Sequence, residues 1–239
     1  MEHIFILTAC IITIAILYLV LGVNIRKIKE VAKNKKLDEL VSRFPENEEI
    51  CKSILKKLKN EKVTIKQNED KENKTSLYVA ISNTIFIANI KDTYTRIQTI
   101  AHECIHSTQS KRMLLFNFYY SNIYLLYFAI SIILTICKVF TNYNLQIIIL
   151  FLMSAIYYII RSLLETDAMT RARYIAEDYM KEYIKENEIA NIEEILELTN
   201  TYDKINKVGI PTYNFLLINS SLIKVIIYTL IVIVINFFS

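Results

Sequence analysis

Four long runs of apolar residues, separated by charged segments, dominate the hydrophobic pattern of the chain. They cover residues 4–23, about 113–137, about 145–164 and about 222–238. Each comes close to the roughly 20 apolar residues that an α-helix needs to cross the hydrocarbon core of a bilayer. The pattern therefore predicts about four transmembrane helices. A soluble core built from the second and third runs is the alternative, and the long uncharged interior of both runs disfavours it.

The segments between the first and second runs have different periodicities. Residues 24–42 indicate a charged helix that continues from the first run, and residues 47–60 indicate an amphipathic helix. Alternation at about 62–67 predicts a strand, and the β-branched stretch 77–89 predicts one or two strands with a break near Asn83. Together they predict a small β-sheet.

A further helix is predicted from about residue 94 to 111, capped by Asp92 or Thr93. After the third run, residues of about 161–186 predict a long helix. Its small residues recur at every fourth position and would let a neighbouring helix approach closely; they are Ala168, Ala172 and Ala176. A short acidic helix is expected at 191–198, and Gly209 and Pro211 predict a loop before the last run.

Composition supports a mainly α integral membrane fold. Of 239 residues, 53% are hydrophobic, the mean hydropathy is +0.30, and only two glycines and two prolines interrupt the chain. The first run has no charged segment before it and no small-residue cleavage site after it, so it is expected to stay as a helix rather than to be a cleaved signal peptide. The net charge of +4 is modest. With no nucleic-acid-binding motif present, the bilayer is the expected partner and nucleic acid is not.

The distribution of Lys and Arg predicts the orientation of the four helices. The clusters that flank the runs are Arg26, Lys27, Lys29, Lys33, Lys35, Lys36, Lys111, Arg112, Arg171, Arg173, Lys181, Lys185, Lys204, Lys207 and Lys224. With four spans, all of them fall on one side of the membrane. Residues 24–112 and 165–221 are therefore predicted to be cytoplasmic, with both termini outside.

Two of the three histidines lie in AHECIHSTQ, residues 101–109. Side chains at positions i and i+4 share one face of a helix, so His102 and His106 can present two nitrogens to one metal ion. Glu103 is offset by about 100° around the helix and can reach water beside that ion. This H-E-x-x-H pattern predicts a catalytic zinc site with one Zn²⁺ per chain and Glu103 as the base. Two helical histidines that merely bond a neighbour are the alternative.

A catalytic zinc ion needs a third protein ligand. His3 is predicted near the opposite membrane face, so a cytoplasmic carboxylate or cysteine is expected instead. Glu165 is the best candidate because a hairpin of the second and third spans would return the chain beside its starting point. A solvated carboxylate at a helix start is the alternative for Glu165.

Several neighbouring residues are candidates for supporting roles. Asp167 can accept the outer N–H of a ligand histidine, although a plain surface charge is equally compatible with the sequence. Gln109 can line the cleft or support packing. Arg171, Arg173 and Tyr174 are the candidates for stabilising an oxyanion, and the sequence does not choose among them.

AHECIHSTQ, a membrane hairpin and ETDAMTRA together resemble the membrane-bound neutral zinc metallopeptidases of the YugP type, and more distantly the CaaX prenyl protease and HtpX-type gluzincins. The similarity covers about residues 77–176. It implies a zincin-like helix, His102, His106 and Glu165 as zinc ligands, and Glu103 as catalytic base. It also implies that an edge strand within 77–89, either LYVAI or TIFIAN, pairs with an extended peptide. Ile105 departs from the family's usual glycine, and Met169 stands where the prenyl-protease group has aspartate.

The sequence thus predicts a zinc metallopeptidase that cleaves membrane proteins or peptides near the cytoplasmic face. Its expected parts are a transmembrane helix (1–23), a cytoplasmic part with the sheet and the H-E-x-x-H helix (24–112), a transmembrane hairpin (113–164), a helical cytoplasmic part with the third ligand (165–221), and a last transmembrane helix (222–239). The alternative is a non-catalytic, zinc-stabilised membrane sensor, which a fourth ligand such as Cys104 or Asp167 would favour. A transporter is a weaker alternative because spans two and three lack interior charges.

Overall fold

Helices dominate the computed structural model, which describes residues 2–23, 30, 33–68 and 75–238. The helices are α1 (Glu2–Val20), α2 (Lys35–Ser42), α3 (Asn47–Lys57), α4 (Arg96–Thr108), α5 (Lys111–Ile136), α6 (Tyr143–Asn187) and α7 (Ile192–Phe237). The strands are β1 (Thr64–Gln67), β2 (Leu77–Val79) and β3 (Thr84–Ile87). The chain divides into two compact units: residues 1–24, 116–163 and 211–239 form the first, and residues 25–115 and 164–210 form the second.

Within the described residues, α1, α5, α6 and α7 are long and apolar enough to cross a membrane. The mean hydropathy of their most apolar windows lies between 1.5 and 2.5, and at most 33% of any such window is buried inside the protein. Most of this apolar surface therefore faces outward, as in helices that are surrounded by lipid. The prediction of four helices that can span a membrane is confirmed.

Hydrogen bonds between polar side chains link helices within the first unit. The Tyr124 hydroxyl lies 2.6 Å from Ser154 Oγ, and Thr135 Oγ1 lies 2.8 Å from the Tyr228 hydroxyl. Tyr127 donates to the side-chain oxygen of Gln146. An apolar surrounding offers no water to these groups, so each hydrogen bond between helices avoids an unsatisfied donor or acceptor.

The core of the second unit gathers apolar residues from α2, α3, β3, α4, α6 and α7. Val41 of α2, Ile54 of α3, Ile85 of β3 and Ile97 of α4 are all fully buried in it. The predicted small-residue stripe of α6 is buried in the same cluster: Ala168, Ala172 and Ala176 are each 0% exposed. Small side chains at these positions let the core close tightly around α6.

The predicted small sheet is present, with strand order β1-β3-β2. β3 lies in the centre, where it pairs in parallel with β1 and antiparallel with β2. Asn83 has a φ of +50°, which makes the tight turn from β2 into β3 at the predicted break. Of the two candidate edge segments, TIFIAN contains the central strand, and only LYVAI contains an edge strand.

The prediction of a short helix at 191–198 followed by a loop at Gly209 and Pro211 is wrong. Residues 192–237 form one helix, α7, with Pro211 inside it. Proline costs about 3 kcal/mol in a helix interior, because it lacks the N–H and crowds the carbonyl four residues earlier. Packing on both sides of the proline offsets this cost: Tyr202 is fully buried before it, and Tyr213 accepts a hydrogen bond from Arg161 Nε at 3.0 Å after it.

Two helix boundaries also differ from their predictions. The helix expected at 94–111 begins at Arg96, and neither Asp92 nor Thr93 caps it: Thr95 is the N-cap residue, and no side chain caps the first turn. Thr93 instead donates its hydroxyl to the carbonyl of Ile90. Of the charged helix expected at 24–42, α2 covers residues 35–42, while residues 24–29 and 31–32 lie outside the described part of the chain.

Candidate metal site

α4 carries the H-E-x-x-H residues and is held by its opposite, apolar face. Ile97, Ile100, Ala101, Cys104 and Ile105 are all fully buried in the core of the second unit. Their spacing leaves a polar stripe on the other side of the helix. His102 and His106 lie on this stripe, one turn apart. The two imidazoles thus owe their common direction to the burial of the residues behind them.

His102, His106 and Glu165 converge into a group that could hold a metal ion, with one donor atom from each lying within 4.8 Å of the others. The two Nε2 atoms are 3.0 Å apart. Glu165 Oε2 lies 3.4 Å from His102 Nε2 and 3.6 Å from His106 Nε2. The structure therefore brings the carboxylate of α6 to both imidazoles of α4, as the hairpin argument expects.

Hydrogen bonds around Gln109 fix the orientation of His106. Gln109 Nε2 donates to the Leu164 carbonyl and to Asp167 Oδ2, each at 2.8 Å. An amide nitrogen donates and does not accept, so Gln109 Oε1 is the atom left to accept from His106 Nδ1, 2.8 Å away. The Nδ1–H tautomer of His106 follows, and its Nε2 keeps a lone pair for the group of three donors.

Glu103 lies beside this group and is almost enclosed, with 6% of its surface exposed. Its Oε2 accepts a hydrogen bond of 2.6 Å from the backbone N–H of Tyr78 in β2. Burial raises the pKa of Glu103, and the charge of Glu165 adds to the rise, while both imidazoles and the Tyr78 N–H oppose it. The net result is a carboxyl group that holds a proton more readily than an exposed glutamate does.

The electrostatics of His106 are set by opposing contributions. Burial lowers the pKa of His106, but the hydrogen bond and charge of Glu165, followed by the charge of Glu103, outweigh burial and leave the pKa raised. Two carboxylates thus favour positive charge at this imidazole. The same negative surroundings favour a divalent cation in place of a proton.

The remaining candidates have other partners. Asp167 bonds to Gln109 and to Arg171 at 3.4 Å, so it reaches His106 only through the Gln109 amide. Arg173 forms an ion pair with Glu177 and lies 2.9 Å from Asp203. Tyr174 is 57% exposed, and the Arg173 guanidinium lies 4.8 Å from its ring. A part in oxyanion stabilisation stays a prediction for Arg171, Arg173 and Tyr174.

Neither residue named as a possible fourth ligand belongs to the group. Cys104 is fully buried, and its Sγ lies 3.6 Å from Cys51 Sγ. The side chain of Asp167 is 42% exposed and bonds elsewhere. Among the residues that the structure describes, the group consists of three donors, with the His102 imidazole 20% exposed at its rim. An arrangement of this kind leaves a coordination position for a small molecule.

The sequence did not predict three residues that lie at or beside the candidate site, Tyr78, Gln98 and Asn206. The backbone N–H of Tyr78 gave no signal because any non-proline residue carries one. Gln98 lies one turn before His102 on the same helix face, and this i, i+4 spacing was a usable signal. Asn206 accepts from Gln98 Nε2 at 2.9 Å, but 108 residues separate the two along the chain. Only the fold shows that they meet.

Comparisons with known proteins add no assignment. No family model matches the chain. Neither the curated proteins nor the solved structures contain a significant match to it. A functional assignment therefore depends on the residues and geometry of the site.

Proposed function

We propose that the chain is a membrane-bound, zinc-dependent metallopeptidase that hydrolyses peptide bonds close to the cytoplasmic face of the membrane. The observation that carries the proposal is the convergence of His102, His106 and Glu165 beside a buried Glu103. Two imidazoles and one carboxylate form the ligand set of several zinc peptidases. The resemblance to the YugP-type peptidases, noted from the motifs, agrees with this chemistry.

The donor set suits zinc in both atom type and spacing. Ligand atoms placed tetrahedrally at about 2.0–2.1 Å from Zn²⁺ are ~3.4 Å from one another. The three separations here are 3.0, 3.4 and 3.6 Å. Calcium and magnesium prefer six or more oxygen ligands, which this nitrogen-rich group does not offer. Bound here, Zn²⁺ would act as a Lewis acid that acidifies water and polarises a peptide carbonyl.

Glu103 is the residue proposed to move the proton. A general base works best when its pKa lies near the working pH, and burial raises the pKa of Glu103 in that direction. Its carboxylate would take a proton from the attacking water and return it to the leaving amine. The Tyr78 N–H holds the carboxylate in place while it does so.

β2 is the proposed docking strand for the substrate backbone. Among the described residues it lies at an edge of the sheet, so one side of it is not paired with another of the three strands. The hydrogen bond from Tyr78 N–H to Glu103 shows that this side of β2 faces Glu103, the proposed base. An extended peptide added there would run past Glu103, and strand addition of this kind leaves side chains to set the preference.

Location near the membrane is argued from the chain itself. Glu165 follows directly after the apolar run of α6, and the H-E-x-x-H helix ends three residues before α5 begins. By the positive-inside rule, the clusters of Lys and Arg beside these spans predict that this part of the chain is cytoplasmic. Membrane proteins or peptides at the inner face are therefore the proposed substrates.

Metal analysis combined with an activity assay tests the proposal. Wild type, Glu103→Gln and, as a matched control, the exposed Glu186→Gln are purified in detergent. All three are expected to hold about one zinc ion per chain. Wild type and Glu186→Gln should cleave unfolded or membrane-embedded peptides, whereas Glu103→Gln should be at least about 10²-fold slower, because general acid–base catalysis contributes that much.

Three outcomes would contradict the proposal. Hydrolysis retained in Glu103→Gln would remove Glu103 from its role. Absence of zinc from the wild type would reject the metal site. Zinc in all three proteins without cleavage by any would favour the alternative, a zinc-stabilised membrane sensor.

A further inference from the structure

A cleft of about 310 Å³ opens beside the candidate metal site within the second unit. His102 and Glu165 form one end of it. Its walls come from α4, α6 and α7, which contribute Thr99, Met169 and Ile205. The cleft thus begins at two of the three proposed metal donors and extends along the face of α4 toward its N-terminus.

The floor of the cleft is a pair of neutral amides. Gln98 Nε2 donates to Asn206 Oδ1 at 2.9 Å, and Asn206 Nδ2 donates to the Met169 carbonyl at 3.0 Å. Gln98 is 8% exposed, so its amide is held in place by this pairing rather than by solvent. The floor therefore has a fixed hydrogen-bonding pattern and carries no charge.

The Met169 side chain lies close to α7 at Gly209, where a Cβ atom would be 3.4 Å from Met169 Cε, an ordinary van der Waals contact. Met169 and Ile205 give the cleft apolar walls. Within the part of the chain that the structure describes, the ionisable groups that line it are His102 and Glu165, which belong to the proposed metal site.

We propose that this cleft receives the substrate side chain next to the scissile bond, and that it selects an uncharged, mainly apolar residue such as Leu, Met or Phe. The inference rests on the proposed peptidase function. A charged side chain entering the cleft would lose its hydration, and no opposite charge is free to pair with it. An apolar side chain would instead gain by contact with Met169 and Ile205.

Charge placed on the wall at Met169 tests the inference. Wild type, Met169→Glu and Met169→Lys are given a peptide mixture that varies the two residues flanking the cleaved bond, and mass spectrometry identifies the products. At one flanking position, Met169→Glu should raise the preference for Lys and Arg over Leu by about tenfold or more, and Met169→Lys should do the same for Asp and Glu. Thr170→Glu and Thr170→Lys add the same charges one residue away at an exposed position, and should keep the wild-type profile.

The results separate this inference from the peptidase proposal. Glu103-dependent cleavage with an unchanged profile in both Met169 variants would overturn the role of the cleft and leave the peptidase function standing. A profile that changes equally in the Thr170 variants would also overturn it, because bulk charge would then be the cause. Absence of cleavage in the wild type would overturn both. Folding is checked by zinc content, which should be equal in all five proteins.

Discussion

Gln109 shows how one side chain can set the chemistry of another. Its amide nitrogen donates to the Leu164 carbonyl and to Asp167, so its amide oxygen is left to accept from His106 Nδ1. It thereby links α4 to α6 at the residue next to Glu165. From the sequence, Gln109 was expected to line the cleft or support packing. In the structure it orients His106, a proposed zinc ligand.

Gln109→Leu is therefore expected to weaken zinc binding by about 10- to 100-fold, the usual cost of losing a group that orients a metal-ligating histidine. Leucine keeps the volume but offers no acceptor to His106 Nδ1. Zinc affinity is measured by competition with a chromogenic chelator in detergent.

Thr108→Ala is the control, because the hydroxyl of the exposed Thr108 donates to the Ile105 carbonyl of its own helix. Equal zinc affinity in Gln109→Leu and Thr108→Ala would show that Gln109 does not orient His106.

At the scale of elements, the position of α4 depends on Arg96 in its first turn. The Arg96 guanidinium is fully buried and donates to the carbonyls of Val41, Phe44 and Pro45 at 2.7, 2.9 and 2.9 Å. These carbonyls end α2 and form its loop, where a helix leaves acceptors unsatisfied and favours a cation. Asn47 Oδ1, at the start of α3, accepts a fourth bond at 2.8 Å. One side chain thus ties three helices together.

Arg96→Met should lower the free energy of unfolding by at least about 2 kcal/mol, because buried acceptors lose their donor. For a chain of this size that corresponds to a fall of about 5 °C or more in apparent Tm. Thermal melting in detergent, followed by circular dichroism, measures it.

Lys91→Ala is the matched control. Lys91 pairs with Glu46 in the same region, but the lysine is 46% and the glutamate 61% exposed. Exposed pairs contribute about 0–1 kcal/mol, so this variant should melt close to wild type. A similar Tm for Arg96→Met and Lys91→Ala would contradict the role assigned to Arg96.

At the scale of the whole molecule, the four apolar helices determine where the protein can reside. Large apolar side chains cover their surfaces, and Phe5, Leu19, Leu126, Leu152 and Phe237 are each at least 60% exposed. A water-soluble monomer does not normally carry apolar surface on this scale. The distribution of Lys and Arg then predicts the side of the membrane on which each loop lies. It thereby also predicts the compartment in which the protein would bind its proposed substrates.

Cys137 provides a natural probe of this orientation. It lies in the turn after α5 and is exposed, whereas Cys10, Cys51 and Cys104 are buried. The predicted orientation, in which both termini lie outside, places this turn outside as well. A membrane-impermeant maleimide added to intact cells should therefore label the protein, and Cys137→Ser should abolish the labelling. Labelling that requires permeabilised cells would reverse the proposed orientation.

Local pattern was sufficient for part of this structure. Runs of about 20 apolar residues predict the four helices. A helix of this length crosses the hydrocarbon core, presents apolar side chains to lipid and hydrogen-bonds its own backbone N–H and C=O groups. Alternation and Asn83 marked the strands and their turn. The i, i+4 spacing of His102 and His106 placed two donors together, since that spacing is a property of the helix itself.

Tertiary structure decided what lies far apart in sequence. Gly209 and Pro211 predict a loop, yet α7 continues through both residues, stabilised by packing on either side. The edge position of β2 depends on strand order, and the Gln98–Asn206 floor depends on where α7 returns. The sequence by itself determined which residues can cross a bilayer and which share a helix face, because both follow from local geometry. Glu165 was predicted as the third donor from the hairpin of spans two and three. The contact of Gln109 with His106 and the cleft beside the site required the fold, because their energies arise only when distant segments pack.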